Sequence, residues 1–166
     1  GIGGGGGAGG YRETKSPVTP YTASPLDGYS TPGNRITVTA TGFPIAIGSG
    51  GAKCNTGSVS TFSSITSAGG GKGGLRNVGS TGGSGGGGGH EHPGSAGNTP
   101  PVTPPQGNSG GAGINSSPIY PAGGGGGAAE AGNTDAAGQG GDGVASSINA
   151  SAVTRSGGGG GGVNNC

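Results

Sequence analysis

FSSITSAGGGKGG (62–74) begins as a β-branched, strand-like segment, runs into glycine and ends around a single lysine. Two kinds of element read this way. One is the phosphate-cradling loop of an enzyme; the other is a structure in which missing side chains are themselves the device. The phosphate loop needs G-x-x-x-x-G-K-[ST] and then a helix whose N-terminus faces the anion. Here Gly71-Lys72 is followed by Gly73, the first glycine position holds Thr66, and the downstream GGLRNVGSTGG cannot support a helix. Lys72 reads as a solvated charge among glycine segments. The G-x-G-x-x-G patterns elsewhere follow from glycine content and carry no weight.

Working outward, glycine runs recur at 3–7, 69–71, 85–89, 123–127 and 157–162. Glycine and proline, 50 and 12 of 166 residues, exceed the ~25–30% that marks low-complexity chains. Leu, Ile, Val and Phe together number 20, and Met and Trp are absent. A conventional hydrophobic core is out of reach at this composition. Charge argues against plain disorder, which usually combines low hydrophobicity with high net charge, whereas this chain sits at +1. That balance offers no footprint for nucleic acid or an anionic membrane. No apolar run approaches the ~18 residues of a membrane span. With Gly1 first and no Met, the sequence reads as a piece of a longer translation product. Cys54 and Cys166 allow one bridge, within the chain or to another chain, and both readings stay open.

Between the glycine runs lie strand-like segments. ITVTATGFPIAI (36–47) places Ile36, Val38 and Ala40 on one face, then resumes with Phe43, Ile45 and Ile47; the slip at Gly42 reads as a β-bulge. SVSTFSSITS (58–67) and VASSINASAVTRS (144–156) are serine-rich and β-branched, and both contain Ser-Ser-Ile. Proline-rich segments at 16–33 and 98–111 each carry Pro-Val-Thr-Pro. Proline fixes φ and removes a donor, so these read as extended or turn loops. No window has helical periodicity, and glycine costs a helix about 1 kcal/mol per residue.

Collagen needs glycine at every third position, and residues 11–27 contain none. The state expected instead is polyglycine-II, a left-handed threefold helix without internal hydrogen bonds. Its N–H and C=O groups pair with neighbouring helices, and Cα–H···O contacts add small increments. Ordering a residue costs about 1–2 kcal/mol, and a hydrogen bond returns about 0.5–1.5 kcal/mol net. One isolated glycine helix therefore loses. Several bonded laterally, capped by patches such as Phe43/Ile45/Ile47 and Phe62/Ile65, offset the cost. The expected fold has no α-helix: packed polyglycine-II helices are layered with short β-strands or hairpins and Pro-rich loops. It forms a single glycine-rich domain over 1–166, with loops at about 11–35 and 90–121.

Candidate chemistry is sparse. His90-Glu91-His92 puts two rings on one side of an extended segment, a weak metal candidate because two ligands are too few. Serine is abundant, but no G-x-S-x-G elbow occurs, and Cys54 has no histidine nearby in sequence. Glu13, Asp27, Glu91, Glu130, Asp135 and Asp142 are scattered on loops. The expectation is no enzyme, no cofactor and no resident metal. Asn115 and Asn149 open glycosylation sequons, the first weakened by Pro118. Tyr21, Tyr29 and Tyr120 sit in or beside the proline-rich segments, as Tyr11 does. They read equally as recognition side chains and as staples holding loops to the glycine layer.

GGGGGAGGYRE, ITVTATGFPIAIGSGG, STFSSITSAGGG, NTPPVTPPQGN, YPAGGGGG and VTRSGGGGGG, in that order, resemble the glycine-rich structural proteins of tailed bacteriophages. A related architecture is the adhesin at the tip of T-even-like long tail fibres. The resemblance implies a polyglycine-II sandwich whose loops, around 21–31 and 98–117 here, face a host receptor. It implies a tail-fibre or surface-appendage subunit at the virion surface, assembled as a trimer or fibre or with other virion proteins. No nucleic acid and no membrane insertion are expected. The alternatives are an extracellular glycine-rich fibre or matrix protein of a cell, and an ice-binding protein. The ice-binding alternative draws on the snow-flea antifreeze proteins, whose strict G-x-x rhythm is absent here.

Overall fold

Backbone stripped of side chains must place its N–H and C=O groups on other backbone, and the tract 82–89 does so in six directions. The computed structural model describes residues 3–116, 119–134 and 138–162. Cys166 and its bridge, Asp135, and the Ser117-Pro118 end of the first sequon lie outside them. Within the tract, Ser84 N and Gly87 N donate to Ala8 O and Gly5 O, at 3.0 and 2.8 Å. Gly85 N and Gly88 N donate to Asn108 O and Gly111 O, both at 2.9 Å. Gly86 N and Gly89 N donate to Ser80 O and Asn77 O, both at 3.0 Å. Its carbonyls accept in the same rhythm. Ser84 O and Gly87 O take Gly71 N and Gly74 N, Gly85 O and Gly88 O take Gly126 N and Gly123 N, and Gly83 O and Gly86 O take Asn98 N and Ser95 N.

Every one of these pairings repeats after three residues on both segments. A β-ladder runs differently, with side chains alternating every second residue and at most two bonded neighbours. The tract 121–128 behaves like 82–89. It bonds to segments around 5–8, 85–88, 108–111, 130–133, 141–142 and 156–162. All of 82–89 and 121–128 is buried. The buried hydrophobic side chains among the described residues are only Ala122, Ala128 and Val144. The interior is therefore main chain.

Side-chain volume explains why glycine fills these positions. A Cβ on Gly86 would run into Lys72 O, one on Gly88 into His92 O, and one on Gly125 into Gly6 O. Lys72 is half-buried. Its amide donates to Ser80 Oγ at 2.9 Å and its carbonyl accepts from Ser80 N at 2.9 Å.

No helix occurs among the described residues. Among the described residues five short strands flank the glycine layers: β1 (Ile45–Ala46), β2 (Ser60–Phe62), β3 (Ile65–Ser67), β4 (Val144–Ser146) and β5 (Val153–Arg155). β1, β2 and β3 form an antiparallel sheet in that order, and β4 pairs antiparallel with β5. Segment 58–67, read as one strand, is a hairpin. Phe62 opposes Ile65 across a two-residue turn in which Ser63 takes φ 52°, as the first position of a primed turn requires. Segment 144–156 is likewise a hairpin, closed through Ala150 N to Ser147 O at 2.9 Å.

Segment 36–47 departs furthest from its reading, since only Ile45–Ala46 is strand. Pro44 supplies no amide to the ladder, and 36–40 has no partner strand among the described residues. Nor do the apolar patches cap the glycine tracts as expected. Ile45 and Ile47 are 69% and 89% exposed, and Phe62 is 39% exposed while packing on Phe43 with ring centroids 5.9 Å apart. Glycine needs no oily cover when its polar groups are already bonded.

Candidate functional site

The loop at 11–35 is organised by one carboxylate. Tyr11 leaves the first glycine tract with its amide bonded to Gln106 O at 2.8 Å, which turns the next residues outward. Glu13 Oε2 then accepts from Tyr11 Oη at 2.9 Å and from Ser24 N at 2.8 Å. Its Oε1 accepts from Ser146 Oγ on β4. Burial pushes the Glu13 carboxyl up, but the donors Ser146, Ser24 and Tyr11 outweigh it and hold the group below its usual range. Burial also raises the Tyr11 hydroxyl, with Glu13 adding to the rise. Tyr21 is raised by burial first and then by the Glu13 charge.

Asp27 fixes the other arm of the loop, accepting at Oδ1 from Lys15 N at 2.9 Å and Tyr29 N at 3.0 Å. Asn34 joins the two proline-rich loops. Its Nδ2 donates to Thr103 O at 2.7 Å, while its Oδ1 accepts from Arg12. The second loop is tied internally by Asn98, whose Oδ1 accepts from Val102 N at 3.0 Å and Gln106 N at 3.2 Å. Gln106, 1% exposed, anchors it inward. Its Oε1 accepts from Ala68 N at 2.9 Å and its Nε2 donates to Pro100 O at 2.8 Å. Thr99-Pro100 and Thr103-Pro104 are cis. The outcome is one surface built from loop 11–35, loop 98–107 and the β4–β5 hairpin.

Tyr21 and Tyr29 both lie on this surface, half-buried. Lys15 Nζ sits 5.7 Å from the Tyr21 ring centroid, and Arg35 Cζ sits 5.0 Å from that of Tyr29. These cation–π contacts hold the rings against their own loop. Tyr120 belongs to a different cluster, stacked on His90 with centroids 4.9 Å apart at 26°. His90 Nδ1 lies 3.9 Å from Glu91 Oε1, whose other oxygen accepts from Asn115 Nδ2 at 2.7 Å. His92 is held through its backbone, donating to Gly89 O at 3.1 Å and accepting from Gly113 N at 2.9 Å. Among the described residues no three His, Cys, Asp or Glu side chains come together. No helix there is long and apolar enough to cross a membrane.

Beside the loop surface runs a groove of about 980 Å³, with Arg12, Tyr29 and Arg35 along one part and Val38, Ile47 and Phe62 along another. Glu13, Asn34 and Gln106 organise the surface, yet reading the sequence singled out only the tyrosines. The available signal was scarcity. Charged residues are 8% of the chain, and Arg12, Glu13, Lys15 and Asp27 fall within one loop.

Neither the curated proteins nor the solved structures contain a match to this chain. A family model described as a glycine-rich domain matches residues 1–166, and the chain belongs to that glycine-rich domain family.

Proposed function

We propose that this chain is a non-enzymatic virion structural protein, a subunit of a phage tail fibre or surface appendage whose loops carry host-receptor recognition. The observation that carries the reading is the combination of a main-chain interior with one loop surface fixed upon it. Two buried tracts, 82–89 and 121–128, each bond to six neighbouring segments. Such a body gives a stiff mount for loops 11–35 and 98–107, and binding residues concentrate on loops positioned by a rigid scaffold. Its partners on this reading are copies of itself or other virion proteins, with a cell-surface receptor at the loops. Its place is the virion surface.

The tracts are proposed to be polyglycine-II helices. Support comes from the three-residue interval of the bonds, the mixture of parallel and antiparallel neighbours, and the lack of space for any Cβ at Gly86 or Gly125. Backbone dihedrals near φ −75° and ψ +145° in an experimental structure of 82–89 are the expected result.

Antibody labelling of purified particles in the electron microscope tests the function. Label on fibres or appendages of virions is expected. Label confined to a cell envelope would replace the reading with a cellular fibre protein, and inhibition of ice recrystallisation by the purified chain would replace it with ice binding.

A further inference from the structure

ITVTA (36–40) has the alternation and β-branching of a strand, yet it stands without one beside it. Among the described residues, no hydrogen bond engages Ile36, Thr37 or Val38, and Val38 is 74% exposed. The same groove is lined by Ile47 beyond the end of β1, likewise without a hydrogen bond and 89% exposed. The buried glycine tracts 82–89 and 121–128, by contrast, bond their backbone laterally almost without interruption. Here an uncharged, β-branched run faces outward with the N–H and C=O groups of Ile36, Thr37 and Val38 free, Thr39 O alone being taken by Thr41 N at 2.8 Å, which is the template that an added strand completes.

We propose that 36–40 pairs antiparallel with the same segment of a second copy, about a twofold axis passing by Val38. The sequence is its own complement in that register. Val38 meets Val38 and Ile36 meets Ala40 on one face, while Thr37 meets Thr39 on the other. Like pairs of this kind stabilise an antiparallel contact, and a twofold interface requires such self-complementarity. A slip of one residue sets Thr39 against Val38 and Ile36 against Thr41, mixing the faces. Charge favours the same occupant. Residues 36–52 carry no charge, and Arg35 falls opposite Thr41 rather than its own copy, so no like charges meet. A foreign strand would need no such symmetry.

This contact rests on the self-association part of the proposed function, and the experiment separates the two. In the full chain with Cys54→Ser and Cys166→Ser, Val38→Cys is oxidised and followed on non-reducing gels. A residue on the twofold axis brings two Cα atoms within the ~7 Å a disulfide tolerates. A linked dimer is expected at least tenfold faster for Val38→Cys than for Ala40→Cys or Ile36→Cys alone, while a mixture of those two cross-links to each other. Sedimentation velocity of Val38→Asp, which sets two carboxylates together on the axis, should show dimer association weakened, with the monomer–dimer midpoint moved to more than tenfold higher concentration. Its circular dichroism should be unchanged, because the side chain is exposed. Oligomers that persist in Val38→Asp, with no preferential link at Val38→Cys, overturn this contact and leave self-association standing. A chain monomeric at all concentrations overturns both.

Discussion

The amide nitrogen of Gly126 lies 2.9 Å from the carbonyl oxygen of Gly85, and three residues on in each direction Gly123 N repeats the contact with Gly88 O. The two buried tracts thus bond directly to one another, back to back, with no side chain between them. What holds this interior together is the summed lateral bonding of groups that would be costly to leave unmade. Close approach of backbone to backbone is the condition for it.

A Cβ added where glycine meets neighbouring backbone in that interior should be severe. Gly86→Ala would meet Lys72 O, and Gly125→Ala would meet Gly6 O, both rigid backbone rather than a movable side-chain tip. Each should destabilise by about 3 kcal/mol or more, the upper end of overpacking costs. Gly50, whose Cβ would meet nothing within 4 Å, is the control. Gly50→Ala should be neutral or stabilising by about 0.4–1 kcal/mol through the unfolded chain. Thermal melts followed by circular dichroism compare the three.

Amide exchange should map the same architecture. The N–H groups of Gly85, Gly88, Gly123 and Gly126 are bonded and buried and should exchange only on global unfolding. Those of Thr37 and Val38 in monomeric chain should exchange at close to the free rate. Equal, fast exchange at both sets would sink the lateral-bonding account.

The glycine interior and the lack of helix among the described residues were legible because they follow from composition and from the position of the runs. The hairpins were half legible. Strand character at 58–67 came from β-branching, but the turn at Ser63 depends on a positive φ that serine does not announce. The loop surface was illegible in its essentials. Glu13 stands 133 residues from Ser146 and Gln106 stands 38 from Ala68, and no local pattern encodes meetings at that range. The tyrosines stood out as large and amphipathic, whereas the groups that fix the loops are the carboxylates of Glu13 and Asp27 and the amides of Asn34, Asn98 and Gln106.

Ser84 offers a test in the opposite direction. Its side chain is fully buried among the glycines, and its Oγ has no hydrogen-bond partner among the described residues. An unsatisfied buried hydroxyl costs about 1–3 kcal/mol. Ser84→Ala keeps the Cβ, removes that group, and should raise stability by about 1 kcal/mol in denaturant titration. A loss of stability of similar size would mean that the hydroxyl has a partner in solution.

Loop anchoring at Glu13 should show in the acid limb of stability. The group is held below its ordinary value by the hydroxyls of Ser146 and Tyr11 and the Ser24 amide, against the upward push of burial. The folded state therefore binds the proton less readily than the unfolded chain. The contribution is fully present above the unfolded glutamate pKa of about 4.3, and it is lost as pH falls through the lowered folded value. Glu13→Gln puts a donor where three donors converge, and should cost about 1–3 kcal/mol at neutral pH while flattening the dependence below pH ~4. On the alkaline side the sign reverses. Tyr11 and Tyr21 are raised, so their contribution is present below about pH 10 and lost as pH climbs through the raised values. Urea midpoints measured across pH for the parent chain and Glu13→Gln, with a Tyr11→Phe variant for the alkaline limb, check both. An unchanged acid slope in Glu13→Gln would remove Glu13 from its place at the centre of the loop surface.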